Sequence, residues 1–283
     1  MIPVLPSKPH YTQDVAAVAA ELANIPQNYA QELANTGIRV VACRDSVVDH
    51  LPHLLNVDVR NWPAGSSWKN IPGVYSPGDK TVVIATVAGP GGARRVPGMG
   101  ERHGSVSLAV HETFHGHDYA RSHRKSKNAG FRLAWAADKL LLRDAYYVND
   151  TAGPEESYAE SAARVFGRDQ RFRTAWPTLT AFWEGPPPGL ADDADDQVED
   201  DSVEPEGPSE ASVIGIARIL DDKSIELDMR AEGPDGLVGH GLIVIGADED
   251  RYERVAGHLG LNDPQFMADV GDDSGALPIL PFD

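Results

Sequence analysis

"AVHETFHGHDYARS", residues 109–122, sets the pattern His-Glu-x-x-His inside an apolar run. On a helix, positions i and i+4 lie one turn apart on the same face. His111 and His115 would then turn one imidazole nitrogen each toward a single zinc ion, and Glu112 would reach a water on that ion. Zinc draws the pKa of such a water from 15.7 toward ~7, so Glu112 can take its proton as general base at neutral pH. A catalytic zinc needs three protein ligands and one open position, so the stretch is one ligand short.

The missing ligand is sought by helix geometry. His117 lies about 200° round the helix from His115 and points away, as a surface residue. Asp118 shares the face of the two histidines, yet it sits roughly 10 Å along the axis from His111, too far for one coordination sphere. A hydrogen bond to a ligand histidine suits it better. Glu156 and Glu160 remain, at i and i+4 on a downstream helix that starts with Pro154 at its first position and stops at Gly167.

"HETFHGHDYA" followed by "EESYAESAARVF" resembles the anthrax lethal-factor-like metallopeptidases, which include the secreted Pro-Pro endopeptidases. Those enzymes pair HExxH with a downstream E-x-x-A-E, here Glu156-Ser157-Tyr158-Ala159-Glu160. The resemblance covers about residues 25–183. It implies a zincin-like peptidase domain with zinc on His111, His115 and Glu156, Glu112 as base, and Glu160 behind the ligands. The family's oxyanion tyrosine lies seven residues before the glutamate ligand. That position is Asn149 here, so Tyr147, or else Tyr146, is expected to fill the role. Thr113-Phe114 replaces the family's usual aromatic or aliphatic residue followed by glycine.

The rest of the chain reads as α+β, with strands early and helices late. Helices are expected over 11–25 and 25–37, the second stopped by Gly37, with a strand at 38–43, a short helix capped by Asp45, and a hairpin over 73–87 turning at Pro77-Gly78-Asp79. The strand 80–87 is expected to be a sheet edge that receives an extended peptide, with the Gly/Pro-rich loop 88–104 over the cleft. Further helices are expected at 105–122, 131–145 and 154–167, and one closing the domain near Pro177.

The charge is unevenly placed. Residues 1–184 hold 18 acidic and 20 basic side chains, whereas 185–283 hold 25 and 5, so the net charge of −18 divides into +2 for the first part and −20 for the last third. Residues 185–210, proline-rich and acidic, lack the apolar content to fold and read as a linker. Beyond them, 211–283 reads as a separate small β-rich domain with strands at 212–220, 224–232 and 237–246 and one helix, carrying no recognisable chemistry. The acidic segment and the absence of a basic stripe argue against nucleic acid. No run is long enough to span a bilayer.

The single Cys43 excludes an internal disulfide, and the opening residues lack a Sec signal. The combined reading is a zinc endopeptidase acting on a protein or peptide. It is expected to be cytoplasmic in its producer or exported by a specialised system as a bacterial toxin or effector. Residues 185–283 would then meet a secretion, chaperone or immunity partner. The competing reading is a non-catalytic, zinc-stabilised interaction protein working through its C-terminal module.

Overall fold

The computed structural model describes residues 2–119, 124–142, 144–149, 152–185, 213–261 and 276–282. In chain order the elements are β1 (Val4–Pro6), α1 (Thr12–Leu22), α2 (Gln27–Asn35), β2 (Arg39–Arg44), β3 (Gly73–Ser76), β4 (Thr81–Ala88) and β5 (Arg94–Arg95). Then come α3 (Leu108–Tyr119), α4 (Ala129–Asp138), α5 (Ala145–Val148), α6 (Gly153–Phe166) and α7 (Pro177–Glu184). The last are β6 (Gly215–Ile219), β7 (Ile225–Glu232), β8 (Val238–Ile245), α8 (Tyr252–His258) and β9 (Ala276–Ile279). The chain is therefore α+β, with a mixed sheet.

That sheet runs β1-β2-β4-β3-β8-β7-β6-β9, with β5 added to β4. β1, β2 and β4 are parallel neighbours, whereas β3 pairs antiparallel with both β4 and β8. Two expectations need correction here. The 80–87 strand is interior, held between β2 and β3, and the far side of β3 is covered in turn by β8. The strands of 211–283 form no sheet of their own: Gly73 faces His240 and Tyr75 faces Val238 in one continuous ladder. The segment expected to meet a secretion, chaperone or immunity partner is thus, where described, part of the same sheet. The acidic linker lies outside the described residues apart from Gly185.

Side-chain alternation assigns the two faces. Val40, Ala42, Tyr75, Val82 and Ile84 pack with the helices in one cluster that includes Leu108, Phe114, Phe166 and Trp183. Cys43, Val74, Val83, Leu227, Met229 and Ile243 turn the other way, onto Leu54, Trp68, Ile71 and Val255. Helices α3 and α6 lie inside the first layer, so nearly every residue of each is buried. Phe114 is their shared anchor, ringed by Tyr29, Tyr158, Phe166 and Trp183 at centroid distances of 5.1–6.4 Å.

Several local expectations shift. The helix foreseen after Asp45 is a pair of 3₁₀ turns, and Ser46 caps the first by accepting from the Val48 amide. Asp45 itself takes a positive φ of 64°, which a short polar side chain tolerates. The loop 88–104 is fastened down. β5 pairs with β4, Arg94 reaches the buried Asp14 at 3.1 Å, Arg95 pairs with Glu101, and the Leu242 amide donates to the Arg102 carbonyl at 2.6 Å. Through that last bond it braces β8.

Candidate metal centre

Helix α3 presents His111 and His115 on one face, with His115 Nε2 lying 3.0 Å from His111 Nε2. Helix α6 brings Glu156 Oε2 to 3.3 Å from His115 Nε2 and 3.6 Å from His111 Nε2. The fourth member, unforeseen from sequence, is His240 of β8. Its ring nitrogens lie 3.2 Å from His111 Nε2 and 3.4 Å from Glu156 Oε2. One donor atom from each of the four falls within 4.8 Å of the others.

This set fits a metal ion. Four donors on a tetrahedron of ~2.0–2.1 Å radius sit roughly 3.3 Å apart; His111, His115 and Glu156 lie 3.0–3.6 Å from one another, and with His240 all four stay within 4.8 Å. Glu156 Oε2 and His115 Nδ1 are buried without a hydrogen-bond partner, a costly state that a cation near the carboxylate relieves. Burial pushes His115 down to about 4 and His240 well below the ordinary histidine value, whereas for His111 burial is outweighed by Glu156 and Glu160, which lift it to about 10. Burial also opposes ionisation of Glu156, but the adjacent His240, His115 and His111 hold it well below the usual carboxylate range. Imidazole nitrogens around an ionised carboxylate suit a divalent cation of the nitrogen-and-oxygen-binding class.

Behind the donors stands a supporting layer. Glu160 Oε2 lies 3.3 Å from His111 Nδ1, which fixes that ring with its other nitrogen facing the cluster. Arg164, one turn on, sits 3.2 Å from Glu160. Arg230 of β7 donates from Nη1 to Glu156 Oε1 at 2.7 Å and from Nη2 to Tyr119 Oη at 3.0 Å. Arg230 and His240 are cross-strand partners, so one register step of the sheet places both over Glu156.

Glu112 is fully buried, and neither carboxylate oxygen has a hydrogen-bond partner. Burial, with Glu156 repelling, lifts it to about 8 against the pull of His111. Room for it exists because residue 73 is glycine: a Cβ there would stand 2.7 Å from Glu112 Cγ and 2.8 Å from Leu108 Cδ1.

Three sequence expectations are placed differently. Asp118 does not touch a histidine of the cluster; it accepts from the Ser126 amide at 2.6 Å and the Ser126 hydroxyl at 2.8 Å, pinning the turn after α3. His117 points away from the cluster as expected but is buried, shared between Tyr158 Oη at 2.8 Å and Glu32 at 3.2 Å. Tyr147 stacks edge-on against Trp176, while its neighbour Tyr146 sends its hydroxyl to His240 Nε2 at 2.9 Å. The reason is phase: consecutive residues of α5 point about 100° apart, and Tyr146 is the one aimed at the cluster. The signals for the missed residues were weak but present. "GHG" sets a histidine inside an otherwise apolar strand, and "IELDMRAE" alternates, with Arg230 on its polar side.

No family model matches the chain. A Pro-Pro endopeptidase of Paenibacillus alvei is 28% identical over 118 residues, which are 41% of this chain and 49% of that protein. The match thus spans about half the length of that curated relative. The solved structure of the Pro-Pro endopeptidase from Paenibacillus alvei aligns with a TM-score of 0.52 at 22% identity, covering 64% of this chain and 96% of that one. The resemblance to Pro-Pro endopeptidase relatives therefore holds in sequence and in fold, at modest identity.

Proposed function

We propose that the chain is a zincin-like, zinc-dependent endopeptidase. The observation that supports this most is Glu112, a buried carboxylate with no partner, set beside a cluster of metal donors. A purely structural metal site has no use for such a group, and leaving it unpaired costs about 1–3 kcal/mol. His111, His115 and Glu156 would hold the ion, which when bound supplies Lewis-acid polarisation of a carbonyl and acidification of a water.

The protein groups have separable roles. Glu112, raised toward neutrality, is matched to take a proton from the attacking water and hand it to the leaving amine. Glu160 fixes the His111 ring. Arg230 keeps Glu156 oriented through Oε1, leaving Oε2 for the ion. Tyr146 replaces Tyr147 as the hydroxyl within reach of the developing oxyanion, a role in which one well-placed donor contributes roughly 10²–10³ in rate. The relatives' printed name supports a peptide substrate.

A second reading, a metal-stabilised interaction protein, is favoured by one specific observation. Four protein donors with 0–4% exposure form a closed set, as structural sites do. A peptide library decides between the two. It is incubated with metal-loaded wild type and with His240→Ala, and new termini are read by mass spectrometry. Glu112-dependent cleavage by either protein, lost in Glu112→Gln with metal retained, is the expected outcome. No such cleavage by either one leaves the interaction reading standing.

A further inference from the structure

Accepting the peptidase reading, the molecule as folded poses a steric problem. An extended peptide gains affinity by adding to a sheet edge, its main chain pairing with the outer strand. Beside the cluster that strand is β3, whose far side pairs with β4. The near side is already occupied: Val238, Gly239 and His240 run antiparallel along Tyr75, Val74 and Gly73. Gly239 packs so closely that a Cβ on it would stand 2.5 Å from the Gly73 carbonyl oxygen and 2.6 Å from Val74 Cγ1. The strand ends its contact with His240 inside the donor cluster, where a water and a scissile carbonyl would have to be.

We infer that β8 lies in the place of the substrate, and that His240 is a fourth metal ligand which closes the coordination position that catalysis needs open. His240 Nδ1, the nitrogen facing His111, is the donor, and Nε2 with the Tyr146 hydroxyl fixes the ring. The same strand thus engages the base's surroundings, the oxyanion tyrosine and the ion together. Arg230, on the neighbouring strand, adds a lock through Glu156, Glu155 and Tyr119. The folded chain is a latent form that opens only when residues 238–240 leave β3. β8 is held on its other side by eight register pairs with β7 and by the loop 88–104 through Leu242, so opening moves a strand pair and not a side chain alone.

Cobalt substitution tests this without relying on turnover. The intact chain is loaded with Co²⁺, and the visible d–d bands are recorded before and after adding acetohydroxamate, for wild type, His240→Ala and His240→Gln. Circular dichroism and a thermal melt check that each variant is folded. The expected result is a wild-type spectrum of a four-coordinate ion that is insensitive to the hydroxamate, and variant spectra that change on addition with at least tenfold tighter hydroxamate binding. A wild-type spectrum that shifts as readily as the variants' overturns the inference, and this arm needs no variant to fold. A variant that binds hydroxamate yet cleaves no peptide leaves the closed coordination intact and removes the peptidase reading instead.

Discussion

Replacing Arg230 by methionine separates the metal-free from the metal-loaded molecule. The aliphatic stem is kept, and what is lost is the guanidinium that donates to Glu156 at 2.7 Å and to Tyr119 at 3.0 Å. A contact ion pair at an effective dielectric of ~20 is worth about 4 kcal/mol. Stripping one partner from a buried pair costs ~3–5 kcal/mol, because the survivor is left charged in a dry place. Without metal, Arg230→Met is therefore expected to lower unfolding free energy by about 3–5 kcal/mol. With metal, Glu156 keeps a counter-charge on its other oxygen, and the repulsion between guanidinium and cation disappears. The loss should then shrink by about 1–2 kcal/mol, which is roughly tenfold tighter metal binding. Urea unfolding followed by circular dichroism, with chelator and with saturating Zn²⁺, gives the two stabilities, and chelator competition gives the affinity independently. Equal losses in both forms, or weaker metal binding in the variant, would show that Arg230 does not act as the counter-ion of Glu156.

Three other substitutions probe separate parts of the molecule. Gly73→Ala drives a methyl group into Glu112 and Leu108. It should cost about 1–3 kcal/mol of stability by overpacking while leaving metal stoichiometry at its wild-type value, and a loss of bound metal would contradict that. Glu160→Gln removes the carboxylate behind His111 and should weaken metal binding 10–100-fold by chelator competition; less than a threefold change would leave Glu160 only a packing role. Asp14 is buried, and although burial works against its charge, Arg44, Thr86 and Arg94 hold its pKa below 3.8. A depressed carboxylate stabilises the fold above its unfolded value and loses that contribution as pH falls. Asp14→Asn should thus cost about 1.5–3 kcal/mol at neutral pH, and the deficit should fade below pH 3.8 in acid titrations of stability.

What the sequence disclosed follows the range of the interactions involved. The His111/His115 pair and the Glu156/Glu160 pair were legible because i, i+4 spacing is a local property of one helix. The β3–β4 hairpin was legible through its turn. His240 and Arg230 were not, because strand alternation reports that one face is polar without saying whether it meets water or a buried site. "IELDMRAE" looks like any half-solvated strand until β7 is seen over α6. The 80–87 strand was misread as an edge because the parallel partner that covers it, β2, pairs residues 42 apart in sequence, Arg39 with Thr81 to Arg44 with Thr86. Tyr146 and Tyr147 were separable only by the phase of the four-residue helix α5, which a family spacing rule does not encode. The closing strand β9 has no sequence signal beyond four residues that fit a strand.

The placement of β8 also imposes an order on biosynthesis. About 80 residues separate Glu160 from His240, and at 5–20 residues per second a ribosome needs on the order of 4–16 s to deliver them. Throughout that interval the nascent polypeptide carries three ligand side chains and an unpaired strand border, the kind of surface prone to adventitious pairing with other chains. If β8 closes the centre as inferred, an ion would enter most easily in that interval, before translation supplies the sealing segment, and a chain cut short within it would present the donors of α3 and α6 uncovered.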